Sequence, residues 1–280
     1  MICEKIDLYK YCSVPRGGCE GGYLKLYCYE AENEVRVRER PAMLVLAGGG
    51  YQFLSEREQE PVAMQYYIEG YQTFVLDYSV KTAYPAPLLE AAMAMVYIRE
   101  NAAKLRVDSG HVAAIGFSAG GHLGGMLATL FADEAINKAL GKKAELVRPD
   151  AVVLCYGVLS SSKYGHSVTI DTITGGDAAL KKKLSPEQCV TKDSSPAFLW
   201  HTGEDALVPV QCSFVYANAC LEAGVPFELH LFEQGGHGLS VLNANTHVTA
   251  EIPQNEARNA AWLALSHSWL KMRGFVVKEK

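Results

Sequence analysis

The sequence predicts an α/β fold: a mostly parallel central sheet with helices on both faces and antiparallel strands at the N-terminus. Three observations predict it. Short runs that are wholly or almost wholly apolar recur along the chain, at residues 43–46, 73–76 and 151–155, which is how strands buried on both faces read. Segments of helical period separate them, giving the strand–helix alternation of a parallel sheet. Near the N-terminus apolar and polar residues alternate one by one, the period of antiparallel strands.

Residues 6–11 and 23–29 form the predicted antiparallel pair, with Gly17, Gly18, Gly21 and Gly22 in the turn between them. Residues 43–46 are a buried strand that runs straight into Gly48-Gly49-Gly50-Tyr51. Ser55-Glu56-Arg57-Glu58 has the form of a capping box, with Ser55 as N-cap and Glu58 reaching back from N3. It opens a helix through Met64, Tyr67 and Ile68 that ends near Gly70. Residues 73–76 are the next buried strand. After Tyr84-Pro85-Ala86-Pro87, the spacing of Leu89, Ala92, Met93, Val96 and Tyr97 predicts a helix over 88–105. Asp108-Ser109-Gly110 is read as the turn into a strand at 111–115, and a small-residue helix follows Ser118.

Beyond the strand at 151–155, residues 159–195 lose any clean period and read as an excursion over the sheet's C-terminal edge, part loop and part short helix. Alternation then resumes with a strand at 197–200, a helix at 212–223 and a strand at 227–232. A last amphipathic helix at 255–273 carries Trp262, Leu265 and Trp269. With no internal repeat and no low-complexity linker, residues 1–280 are expected to form a single domain.

A 49% hydrophobic fraction and a net charge of −5 are those of an ordinary globular chain and argue against nucleic-acid binding. The basic run Lys181-Lys182-Lys183 is expected to be a solvated face. The first residues contain no apolar signal region and no stretch reaches membrane-span length. The eight cysteines are scattered, without metal-ligand pairing, and Cys155 and Cys220 read as buried free thiols. A cytoplasmic setting with no membrane partner is expected. Homo-oligomerisation through the N-terminal strands is compatible with the sequence.

Sheets of this kind bind ligands at the C-terminal ends of their strands, so the residues placed there are the candidates for chemistry. Gly116-Phe117-Ser118-Ala119-Gly120 puts a serine at a tight strand-to-helix turn, with glycine two places away on either side. Only small neighbours escape a clash there, and the helix start offers free N–H groups. After the strand at 197–200 come His201-Thr202-Gly203-Glu204-Asp205, then Val208-Pro209. After the strand at 227–232 come Glu233-Gln234-Gly235-Gly236-His237-Gly238. A nucleophile (Ser118), an acid and a base (His237) thus follow in the order expected of this turn motif. Of the adjacent acids, Asp205 is chosen over Glu204 as the shorter side chain at the end of its turn. His237 is chosen because it alone lies in a glycine-flanked loop between a buried strand and the closing helix. His111, His201 and His230 lie in or beside strands, His122 braces the turn from its helix, and His166, His247 and His267 sit in the excursion, a loop and the last helix. Tyr51, Tyr84 and Tyr164 could wall the site, but each reads first as ordinary packing and none is assigned to it.

These motifs, together with Gly48-Gly49-Gly50-Tyr51, Tyr84-Pro85-Ala86-Pro87 and the histidine that follows the serine turn, His122, resemble an α/β-hydrolase esterase. The likeness is to hormone-sensitive-lipase-like acetyl esterases and to acetyl-xylan, xylanase-associated carbohydrate esterases, and it covers most of the chain from about residue 43. Lipase-type members carry His before the three glycines, where this chain has Ala47, which weighs against a lipase. The resemblance implies Gly49, Gly50 and Ala119 as an oxyanion hole. It also implies a serine hydrolase acting on short-chain esters, such as acetyl esters of sugars or of other small molecules, through an acyl-enzyme. Such chemistry requires neither metal nor organic cofactor. An amidase or formamidase would share the same three side chains, and a non-catalytic binding protein could share the fold.

Overall fold

In the computed structural model, which describes residues 1–30, 37–161, 164–247 and 251–279, the apolar runs become the inner strands of one sheet. Strands β1 (Ile2–Asp7) and β2 (Tyr23–Cys28) flank helix α1 (Leu8–Cys12). Then come β3 (Val37–Leu46), α2 (Glu60–Ile68), β4 (Gln72–Asp77), α3 (Ala86–Glu100) and α4 (Ala102–Leu105). β5 (Val107–Phe117) leads into α5 (Ala119–Thr129), followed by α6 (Glu134–Leu140) and β6 (Ala151–Cys155). Short helices α7 (Ser167–Thr174) and α8 (Ala178–Lys183) fill the irregular stretch before β7 (Ala197–Thr202), α9 (Gln211–Ala223) and β8 (Phe227–Phe232). The chain closes with α10 (Gln254–Ala257), α11 (Ala261–Met272) and β9 (Lys278–Glu279).

The strand order is β1-β2-β4-β3-β5-β6-β7-β8, with β9 paired to β3. β1–β2 and β2–β4 pair antiparallel, whereas every neighbour from β4 to β8 is parallel. Alternate residues of each inner strand enter opposite cores. Leu44 and Leu46 pack with Met93, Leu123 and Leu127 under α3 and α5. Met43 and Val45 pack with Ile115, Trp200 and Trp262 under α2 and α11. Both faces are therefore dry along the middle of the sheet, which is why the strands are apolar there on both faces, as at residues 43–46, 74–76 and 151–155. No described helix is long and apolar enough to cross a membrane.

Local signals fail at several points, each for a visible reason. The predicted strand at 6–11 ends at Asp7, whose carboxylate accepts the Lys10 N–H and caps α1, burying Leu8 and Tyr9 side by side. The predicted helix at 88–105 breaks at Asn101, which leaves helical geometry (φ −101°, ψ 12°). Asp108-Ser109-Gly110 is not a turn but an irregularity within β5, where the pairing jumps from Arg40–Val107 to Ala42–Val112. The final helix is interrupted by a 3₁₀ turn at Arg258–Ala260. The capping box does not form. Ser55 makes no capping bond, a 3₁₀ turn occupies Glu56–Glu58, and α2 starts only at Glu60. The Glu58 carboxylate is drawn inward instead, towards the end of β3.

The topology also locates a crevice. From β3 the chain steps to β4 on one side, whereas β5 lies on the other side of β3 and leads on to β6, β7 and β8. The loops after β3 and β5 thus diverge from neighbouring strand ends, the arrangement that opens a ligand site in parallel sheets. The β5–α5 turn needs backbone contact at that point. A Cβ on Gly116 would lie 2.1 Å from the Gly120 oxygen, and one on Gly120 would lie 2.1 Å from the Leu46 oxygen. Gly120→Ala is expected to destabilise the protein by about 2–3 kcal/mol or more, as overpacking against unyielding backbone does. Gly18→Ala, where nothing lies within 4 Å, should change stability by less than about 0.5 kcal/mol. Equilibrium urea denaturation of the two variants checks the contrast.

Candidate active site

Ser118 sits between β5 and α5 with φ 52° and ψ −114°, a conformation non-glycine residues adopt only under constraint. Its N–H donates to the Cys155 oxygen at 3.0 Å, and its own carbonyl accepts the N–H groups of His122 and Val158. These bonds hold the turn while the hydroxyl projects towards the loop that follows β8. There His237 Nε2 lies 2.8 Å from Ser118 Oγ, and Nδ1 lies 2.6 Å from Asp205 Oδ2. A carboxylate only accepts, so Nδ1 carries the proton and Nε2 is free to accept the serine hydroxyl.

The Asp205 side chain is fully buried. Its Oδ1 accepts the N–H groups of Leu207 and Val208, both at 2.9 Å. Behind it stands His201, also buried, whose Nε2 is 3.2 Å from Asp205 Oδ2 and 2.9 Å from the Val208 oxygen. Ser213 lies 2.8 Å from His201 Nδ1, so an Nε2–H shared between Asp205 and the Val208 oxygen, with the Ser213 hydroxyl on Nδ1, satisfies every partner. Burial alone would raise the Asp205 carboxyl, but hydrogen bonds from His201, His237 and the Val208 N–H together hold it well below the usual carboxylate range. Glu204, the other acid of the pair, accepts the Gly235 N–H at 3.1 Å and so supports the backbone of the histidine loop.

The loop after β3 approaches from the other side. Gly49 (φ 123°) and Gly50 (φ 62°) lie in backbone regions that disfavour side chains. Gly48 N–H is taken by Glu58 Oε2 at 2.8 Å. The N–H groups of Gly49, Gly50 and Ala119 have no acceptor among the described residues. His122 braces α5 from within. Its Nδ1 is 2.9 Å from the Tyr51 hydroxyl and its Nε2 is 2.8 Å from the Leu184 oxygen. Burial pushes its imidazole down to about 4, so it is neutral at physiological pH.

Ser118, His237, Gly49 and Gly50 open onto a cavity of about 680 Å³. Its rim is apolar: Phe53, Val168 and Leu207 are 61%, 50% and 49% exposed. His166, with Nδ1 2.9 Å from Thr169 Oγ1, adds a polar edge from the start of α7. Tyr51, Tyr84 and Tyr164, which read first as ordinary packing, do not line it. Tyr51 is buried beneath the glycine loop on His122, and Tyr84 donates to Asp133 at 2.6 Å, while Tyr164 is likewise absent from the lining. The rim residues carry little signal of their own in the sequence: Phe53 and Leu207 are lone apolar residues in loops, and Val168 is one in the first turn of α7. Position after the glycines or after Asp205 was the available signal.

Because the folded Asp205 carboxyl is depressed, its contribution to stability is full above the unfolded aspartate value of about 3.9 and disappears as pH falls through the folded value. The stability gap between wild type and Asp205→Asn should therefore be widest above about pH 4 and narrow below it, as read by denaturant titration across the acid range.

The sequence matches the BD-FAE family over residues 29–219, a span that holds Ser118 and Asp205 and stops before His237. It is 35% identical over 226 residues to endo-1,4-beta-xylanase B of Butyrivibrio fibrisolvens, covering 78% of this chain and 35% of the relative. The chain thus spans about a third of that curated relative's length. Among solved structures, the acetyl ester-xyloside bifunctional hydrolase from Caldicellulosiruptor lactoaceticus superposes with a TM-score of 0.83 at 33% identity, covering 98% of this chain and 97% of that one. The carboxylesterase Cest-2923 from Lactobacillus plantarum superposes over the full length of both chains, with a TM-score of 0.84 at 26% identity. A match through most of the sheet and an end-to-end superposition at this identity make the chain a member of the BD-FAE family, built on the α/β-hydrolase fold.

Proposed function

We propose that this protein is a carboxylic ester hydrolase that cleaves short-acyl esters, acetyl esters of sugars foremost, by way of an acyl-serine at Ser118. The observation that carries the reading is the unbroken hydrogen-bond chain from Ser118 Oγ through His237 to buried Asp205, opening onto a single cavity. In this scheme His237 Nε2 takes the hydroxyl proton as Ser118 Oγ attacks the ester carbonyl, and Asp205 stabilises the imidazolium that forms. The N–H groups of Gly49, Gly50 and Ala119 receive the oxyanion. One such donor contributes about 3 kcal/mol to the barrier in serine hydrolases. The imidazolium then protonates the departing alcohol, and water, deprotonated by the same histidine, releases the acid.

A cavity of about 680 Å³ lies within the range that holds a whole small substrate, so alcohol and acyl portions fit together. The acetyl preference is supported by the likeness to the acetyl ester-xyloside hydrolase.

Ser118→Ala and His237→Ala are expected to lower kcat by about 10⁴-fold or more with the fold intact, Asp205→Asn by less, and Glu204→Gln by little. Steady-state kinetics on p-nitrophenyl acetate with circular dichroism on each variant measures this. On a panel of acylated xylosides and p-nitrophenyl esters of graded length, kcat/KM should be highest for acetyl. Faster turnover of long-chain esters, or of arylformamides, would remove the substrate assignment.

A further inference from the structure

Two carboxylates line the cavity. Glu56 is at the surface, and Glu58 lies beneath it, only 3% exposed. Burying a carboxylate is unfavourable unless its lone pairs are occupied, and those of Glu58 are occupied from both sides of the site. Oε2 accepts the Gly48 N–H at 2.8 Å, and Oε1 accepts the Tyr156 hydroxyl at 2.7 Å. The Tyr156 oxygen in turn accepts the Ser240 N–H at 2.9 Å, and the Tyr156 ring stands edge-on to the His237 imidazole with centroids 5.0 Å apart. A Cβ on Gly48 would lie 2.7 Å from Glu58 Oε2 and 3.0 Å from Ser118 Cβ, so the carboxylate occupies the angle between the glycine loop and the serine turn. The same 3₁₀ turn ties to the histidine loop again, through Arg57 Nη1 to the Gly238 oxygen at 3.0 Å and Ser240 Oγ to the Arg57 oxygen at 2.6 Å.

From this arrangement we infer that Glu58 is a positioning residue that clamps the oxyanion-binding glycine loop to the loop bearing His237, and so sets the distance between the oxyanion donors and the base. The inference rests on the ester-hydrolase reading of the site. Holding the Gly48 N–H inward constrains the peptides that follow at Gly49 and Gly50, the two glycines that line the cavity. Holding Tyr156 fixes both the floor under the imidazole and the backbone at Ser240. A carboxylate can accept at both ends, and although burial pushes the Glu58 carboxyl up, the Tyr156 hydroxyl and the Gly48 N–H act against that shift. A glutamine can accept from Gly48, but its amide then meets the Tyr156 oxygen and the tyrosine proton loses its acceptor. An alanine releases both loops.

The variants therefore separate the two branches. Per active site titrated with a fluorophosphonate, Glu58→Ala should lower kcat on p-nitrophenyl acetate about a hundredfold with KM within about threefold, the scale on which a misplaced oxyanion donor or base is felt. Glu58→Gln and Tyr156→Phe should each lower kcat about tenfold, and their double variant should fall short of the product because both cut the same branch. Should Glu58→Ala fail to fold, the Glu58→Gln and Tyr156→Phe pair decides alone. Wild-type kcat in folded Glu58→Gln and Tyr156→Phe, a loss confined to KM, or full multiplicativity of the pair would overturn the clamp. Ser118→Ala is assayed alongside: turnover surviving there overturns the hydrolase reading, whereas a silent Ser118→Ala beside a full-speed Glu58→Gln overturns only the role of Glu58.

Discussion

The close backbone contact at the β5–α5 turn is the constraint on which the rest of the site depends. Ser118 is held at φ 52°, a strain on the order of 1–3 kcal/mol that persists only where surrounding structure dictates it. What dictates it is the pairing of β5 with β3 on one side and β6 on the other, together with the seating of α5 directly on the end of β3 at Gly120. A side chain at either glycine would push helix and strand apart, and the serine would relax away from the rim.

Around that fixed point the fold separates rigid from adjustable parts. The sheet is dry on both faces, packed by Leu44 and Leu46 on one side and by Met43, Val45 and the stacked pair Trp200 and Trp262 on the other. Polar groups collect at its C-terminal edge, where strand carbonyls and N–H groups run out of partners and side chains take over. Asp205 is gripped by the backbone of its own turn and by His201. Its direction is therefore set by contacts independent of His237, and the imidazole is oriented by a group that cannot easily turn away. The same economy operates at Glu58, where one buried carboxylate joins two loops that share no secondary structure.

Much of this was legible in the chain because the relevant signals are local. Strands buried on both faces leave a run of apolar residues, and β6 is predicted with the bounds it has. Ser118 is marked by flanking glycines that the turn cannot do without, and His237 by the glycines that let its loop bend. Where local and distant partners compete, local reading fails. Ser55 and Glu58 have the spacing of a capping box, yet Gly48 and Tyr156 offer Glu58 better-buried partners and the helix begins later. Leu8 and Tyr9 continue an alternating pattern, yet Asp7 caps a helix there.

The sequence by itself determined the class of fold, the placing of Ser118, Asp205 and His237 just after their strands, and the glycines that permit their approach, because each of these is imposed by the size, polarity or backbone freedom of residues close together in the chain. Only the tertiary structure decided which of two neighbouring acids faces His237, that His201 stands behind Asp205, that Glu58 spans two loops, and that Phe53, Val168 and Leu207 rather than the tyrosines form the cavity rim. Those outcomes rest on contacts between segments far apart along the chain, where hydrogen-bond geometry and burial, not spacing, select the partner.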